Sequence, residues 1–111
     1  MIAVSHYLYQ LVPSRPDMLV TGRTEAEAEI VDQHFAYLER LTKQGVVLMA
    51  GRTLNMGART FGIVVFRAES DKEARLLMEN DPAVRQRVML AELFPFGLAL
   101  WSENKGSGET R

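Results

Sequence analysis

Cysteine is absent from the 111 residues. That excludes disulfide frameworks, thiolate metal sites and cysteine nucleophiles. An excess of charge of either sign is also absent. Thirteen Lys and Arg stand against 14 Asp and Glu, a net charge of −1, so no global basic field recruits nucleic acid or an anionic membrane. No apolar run approaches the ~20 residues that span a bilayer. The opening Met1-Ile2-Ala3-Val4-Ser5-His6-Tyr7 has no basic n-region and turns polar too early for a signal peptide. A soluble, cytoplasmic protein is expected, with neither nucleic acid nor membrane as partner. There is no phosphate-cradling glycine loop, and neither of the two histidines has a carboxylate at ligand spacing. No organic cofactor or metal is implied.

What is present suits a small globular domain. Hydrophobic residues make up 47% and charged residues 24%, which rules out disorder of the whole chain and allows one modest core. Residues 1–101 are expected to form one domain, and the polar stretch 102–111 a frayed tail. Ile2 to Val12 reads as a strand stopped by Pro13, followed by a loop to Gly22. A helical pattern runs from about Glu25 to Gln44, with Gly45 placed to end it. Val46 to Ala50 and Thr60 to Arg67 read as strands joined by a turn over Thr53 to Arg59. Ser70-Asp71-Lys72-Glu73 matches a capping box and opens a second helix to about Asn80. Asp81-Pro82 starts a short extra turn, and Val88 to Leu100 reads as a last strand, bent at Pro95 or Gly97.

The order β-α-β-β-α-β is the ferredoxin-like arrangement, an α+β fold with two helices on one face of a four-stranded antiparallel sheet. A sheet with one wet face should alternate apolar and polar residues. The third strand does not: Phe61, Ile63 and Val65 lie on one side, Val64 and Phe66 on the other. Val46-Val47-Leu48-Met49 and Leu98-Ala99-Leu100-Trp101 are equally two-sided. Two helices cover one face only, so a second copy of the chain is the simplest cover for the other, and a homodimer or higher homo-oligomer is expected.

At roughly 100° per residue, Tyr37, Ile30, Leu41, His34, Leu38, Val31 and Phe35 form one arc of the first helix. His34 lies in the middle of that apolar arc. A buried imidazole needs hydrogen-bond partners, which also shift its charge state. It is either a core histidine satisfied by a carbonyl or a tyrosine, or a general acid/base in a pocket between helix and sheet. Asp81-Pro82 likewise has two readings. Aspartate at an N-cap with proline at N1 is a common way to begin a short helix. The topology also brings the end of the second helix beside the first half of the helix carrying His34, where a carboxylate could orient the imidazole.

These segments resemble the YCII-related (YciI-like) family. The resemblance rests on Gln33-His34-Phe35-Ala36-Tyr37-Leu38-Glu39-Arg40-Leu41, Gly45-Val46-Val47-Leu48-Met49-Ala50-Gly51, the capped helix with Glu73-Ala74, Asp81-Pro82 and Phe94-Pro95-Phe96, over most of residues 2 to 97. It implies a dimeric α+β barrel, two ferredoxin-like domains packed sheet to sheet, and a catalytic pair made of His34 and Asp81. The activity best known among such proteins is dehydrochlorination of a chlorinated hydroxyquinone. Two departures bear on the pocket: Gly51-Arg52 stands where the family commonly has Gly-Pro, and Ala83 where an aromatic often follows Asp-Pro. Arg52, either an anion receptor or a solvated loop arginine, and Tyr37 are candidates to contact a substrate. The reading is thus an acid–base enzyme acting by elimination, isomerisation or hydrolysis on a small cyclic or aromatic compound.

Two other classes compete. A non-catalytic small-molecule-binding or structural dimer fits the same fold. Arg59-Thr60-Phe61-Gly62-Ile63-Val64-Val65-Phe66 also resembles the RNP1 strand of an RNA-recognition motif. Its second position is threonine instead of glycine, and Ile63 replaces an aromatic that would stack on a base.

Overall fold

Alternation along the first strand decides which side of the sheet the helices occupy. In the computed structural model, which describes residues 5–19, 21–55 and 57–103, strand β1 (Ser5–Pro13) turns Tyr7, Tyr9 and Leu11 to one side. All three are buried. It pairs antiparallel with β3 (Gly62–Ala68) and β4 (Met89–Phe96), and β2 (Val47–Arg52) pairs antiparallel with β3. The sheet order is β2-β3-β1-β4, the ferredoxin-like order expected. The register sets Tyr7 opposite Phe66 and Tyr9 opposite Val64, so one face carries a continuous aromatic and aliphatic layer. Phe66 is stacked on Tyr7 and meets Tyr9 edge-on, arrangements favoured by the ring quadrupoles.

Helix α1 (Glu25–Lys43) and helix α2 (Asp71–Glu79) lie over that layer through Leu38, Ala74 and Met78. Thr24 caps α1 with a full capping box, its hydroxyl accepting from the Glu27 N–H while Glu27 Oε1 accepts from the Thr24 N–H. Gly45, at φ +78, ends the helix in the left-handed conformation that glycine adopts without strain. Ser70 caps α2 through the Glu73 N–H. The return half of the expected capping box is displaced by one residue, because Glu73 Oε1 accepts from the Glu69 N–H. A short helical turn, α3 (Pro82–Arg85), follows with Asp81 as its N-cap. No described helix is long and apolar enough to cross a membrane.

Several strand boundaries differ from the sequence reading; β3 starts at Gly62 and not Thr60, and the ends of β2 and the last strand bear on the site and the second face. β2 does not stop at Ala50 but continues through Gly51 to Arg52, because Gly51 and Arg52 find ladder partners in Ile63 and Gly62. The last strand ends at Phe96, not Leu100. Its final pair is with His6, and beyond Gly97 the apolar residues have no ladder partner among the described residues. Leu98 and Trp101 instead gather with His6, Leu48 and Arg67. Pro95 stays within β4, an edge strand, where its missing N–H need not break a ladder. Phe35, counted in the apolar arc, is 66% exposed, since it lies at the rim of that arc. The start of the expected first strand, residues 2–4, and nearly all of the expected polar tail fall outside the described residues.

Candidate active site

The side chains singled out in α1 and at Asp81 meet. His34 Nδ1 lies 2.7 and 2.8 Å from the two Asp81 carboxylate oxygens. Helix α1 supplies the histidine from its core-facing side, and the turn between α2 and α3 supplies the aspartate. Asp81 is fully buried, whereas the His34 side chain keeps 13% of its surface exposed. Capping and orienting turn out to be compatible, for Asp81 does both. Its Oδ1 accepts from the Ala83 N–H at 3.0 Å, as an N-cap should, while the same carboxylate faces the imidazole.

A further donor completes the group. The Tyr9 hydroxyl donates to Asp81 Oδ2 at 2.8 Å. Burial, with the Asp81 charge and this hydrogen bond added to it, holds the Tyr9 phenol far above its usual ionisation range, so it remains a donor. With Tyr9 O–H and Ala83 N–H both donating to it, Asp81 is an acceptor, and Nδ1 is the ring nitrogen that carries the proton. Nε2 makes no hydrogen bond among the described residues. In the neutral ring, the tyrosine–aspartate–histidine chain therefore ends at one imidazole nitrogen with a free lone pair. The sequence reading missed Tyr9. Its signal was there: a tyrosine on the helix-facing period of a central strand must find a partner for its hydroxyl.

His34 borders an open cleft of about 1100 Å³ between α1 and the ends of the strands. Val31, Leu38 and Phe35 of α1 form one wall. Leu11, Ala50 and Val64 belong to the opposing sheet surface. The lining is largely apolar, its charged members being Glu39, Lys43 and Arg52 beside His34. Arg52 thus shares the cleft with the dyad. Tyr37 does not: its hydroxyl donates to the Leu77 carbonyl at 2.7 Å, and the Arg40 guanidinium sits 5.4 Å from its ring centroid. Burial, reinforced by the Asp81 charge, pushes its phenol up to about 12. Tyr37 therefore braces α1 against α2 and is not a wall of the cleft. No group of three or more potential metal-ligating side chains occurs among the described residues.

A family model described as the YCII-related domain matches residues 8–96. No curated protein matches the chain. Among solved structures, the chain is similar to a 5-chloro-2-hydroxyhydroquinone dehydrochlorinase from Burkholderia phenoliruptrix AC1100, determined in complex with 2,5-dihydroxybenzoquinone. The two share 22% identity with a TM-score of 0.61, over 84% of this chain and 95% of that one. At that identity the likeness establishes the fold.

Proposed function

The chain belongs to the YCII-related family, and on that premise we propose that it is an acid–base enzyme acting on a small cyclic or aromatic compound, with His34 as the general base. The observation that carries this reading is the 2.7 Å contact between Nδ1 of His34, which lines an open cleft, and the fully buried Asp81 behind it. Asp81 fixes the tautomer and stabilises the imidazolium that forms when Nε2 takes a proton. Tyr9 and the Ala83 N–H keep the carboxylate in place. Proton removal from the substrate's C–H or O–H leads to elimination or isomerisation, and proton removal from a water that then attacks the substrate leads to hydrolysis, the leaving group taking the proton back from Nε2. In a dehydrochlorination, the reaction for which the similar enzyme is named, HCl is lost: the proton ends on Nε2 and the C–Cl electron pair leaves with chloride.

The test begins with chloride release from 5-chloro-2-hydroxyhydroquinone and extends to related hydroquinones and lactones. His34→Asn and Asp81→Asn should each lower turnover by about 10²–10⁴-fold, the usual contribution of a positioned base. Unchanged turnover in both would remove His34 and Asp81 from catalysis, and no turnover of any of these compounds by the unaltered protein would leave a non-catalytic binding protein. A substrate-free check is nitrogen-15 NMR of the His34 ring, which should show the proton of the neutral imidazole on Nδ1. Finding it on Nε2 removes the base.

The second face of the sheet supports a proposal of its own, that a second copy docks there sheet to sheet. Met49, Leu90, Phe94 and Phe96 are all more than a third exposed, and the strand registers put Phe94 and Phe96 opposite Leu8 and His6 on the side away from the helices. Sedimentation of the protein should give a dimer, and Phe94→Glu a monomer.

A further inference from the structure

Arg52 is the last residue of β2, and its register decides where it points. Ala50 pairs with Val64 and Arg52 with Gly62, so Arg52 falls on the same side as Val64, the side over which α1 lies. A strand position, unlike a loop position, fixes the stem of the side chain. Across the ladder Gly62 adds no side chain. A Cβ there would come within 3.2 Å of the Gly51 carbonyl oxygen and 3.7 Å of the Arg52 Cβ, so glycine is what lets β3 approach β2 closely at the position of the arginine. Thr60, also at the cleft, is no competitor for a ligand, since its hydroxyl donates to the Asn55 carbonyl.

The guanidinium itself is barely engaged. Its one hydrogen bond runs from Nη1 to the Thr53 carbonyl at 3.4 Å, and no carboxylate lies within ion-pair distance of it among the described residues. Arg15 and Arg67 differ. The first makes two bonds to the Glu27 carboxylate at 2.6 and 2.9 Å, and the second makes two to the Gly45 carbonyl. Around the cleft the fixed charges are Arg52 and Lys43 against Glu39, a positive balance within an apolar lining. A largely apolar cleft with a planar fork of donors that pairs with no described carboxylate suits a ring bearing a planar anion.

Building on the reading of the cleft as a substrate site, we propose that the substrate is an aromatic or cyclic carboxylate whose acid group is held by Arg52, with its ring directed toward His34. Arg52 is thereby the residue that selects the charge class of the substrate, and His34 the one that acts on it.

Binding of two matched probes, 2-naphthoate and 2-naphthamide, measured by NMR titration of the full chain, tests this without needing turnover. The carboxylate should bind at least about tenfold tighter than the amide, the worth of one charge-assisted pair. Arg52→Gln should abolish that preference while leaving 2-naphthamide binding within about twofold. Arg52→Lys should restore part of it, and Lys43→Gln should leave most of it. Equal binding of the two probes by the unaltered protein, a preference that survives Arg52→Gln, or no response of the cleft amides to either probe would overturn the proposal. His34→Asn separates this proposal from the catalytic one. A preference kept in that variant, with turnover also kept, sinks the base and spares the anion site, whereas lost turnover with no preference does the reverse.

Discussion

The two faces of the sheet are both apolar, yet they are finished to different degrees. On the helix side Tyr9, Phe66, Val64 and Val47 are sealed beneath Leu38, Ala74 and Met78, and no described buried side-chain polar atom lacks a hydrogen-bond partner. In the polar group embedded there, Tyr9–Asp81–His34, the one side-chain nitrogen or oxygen without a hydrogen-bond partner among the described residues is His34 Nε2, and His34 lines the cleft. On the far side Val65 is buried, but Leu90, Phe94 and Phe96 remain partly in water. The covered face is complete within one chain and holds the Tyr9–Asp81–His34 group; on the other, the apolar surface is interrupted by Gln10 and Glu92, which the register sets opposite each other. Burial alone does not make a site. What distinguishes the first face is a polar cluster that the fold has fully paired but for one lone pair.

The sharpest way to break this comparison is to truncate one aromatic on each face. Phe66→Ala should cost about 3–5 kcal/mol of stability in urea unfolding, the usual loss for a fully buried phenylalanine. At a concentration where the chain is monomeric, Phe94→Ala should cost less than about 1 kcal/mol, as partly exposed positions do. Equal losses would mean that the second face is as closed as the first. Next in size is Asp81→Asn. It sets an amide N–H against one of the donors now pointing at the carboxylate, and should destabilise by about 1–3 kcal/mol, the penalty for a buried group left mispaired. Tyr9→Phe is milder, since Asp81 keeps the Ala83 N–H and the imidazole: a loss of about 0.5–1.5 kcal/mol is expected. Calorimetry of the two variants side by side ranks these contributions.

The smallest effect belongs to a polar contact outside both faces. Hydrogen bonds from Arg15, with the Thr24 backbone N–H second, pull the Glu27 carboxyl down to about 2. A depressed folded-state value means stability that is present above the ordinary glutamate range, near 4.3, and lost as pH falls through about 2. Glu27→Gln should therefore flatten the acid limb of the stability curve without moving its neutral plateau by more than the modest amount typical of exposed pairs. A shift of the neutral plateau comparable to that of Asp81→Asn would show that the contact is not peripheral.

Much of this architecture could be read in the residues. The strand order followed from the succession of patterns, and the two-sided apolar strands from Phe61 to Phe66 placed alternate residues on opposite faces as the registers do. His34 stood out because an imidazole sat amid leucines on a helical wheel. Asp81 was harder, since Asp-Pro is a satisfactory cap and gives no local hint of a second duty. Arg52 was misplaced by one feature, Gly51, which punctuates a loop in most contexts but here sits within a strand because β3 offers it a ladder partner. Tyr37 shared the apolar arc with His34, yet the wheel says nothing about which element a residue meets, and Tyr37 meets the carbonyl of Leu77.

The sequence by itself determined the periods, the caps and the apolar faces, because each is a local matter of residue type and spacing. It therefore determined the α+β class, the family resemblance and the presence of a histidine on the buried side of α1. Only the tertiary structure decided that Tyr9, His34 and Asp81 share one cluster, that Tyr37 stands apart from the cleft, and that Arg52 projects into it. Those outcomes depend on distances between elements far apart in the chain, and no local preference encodes them.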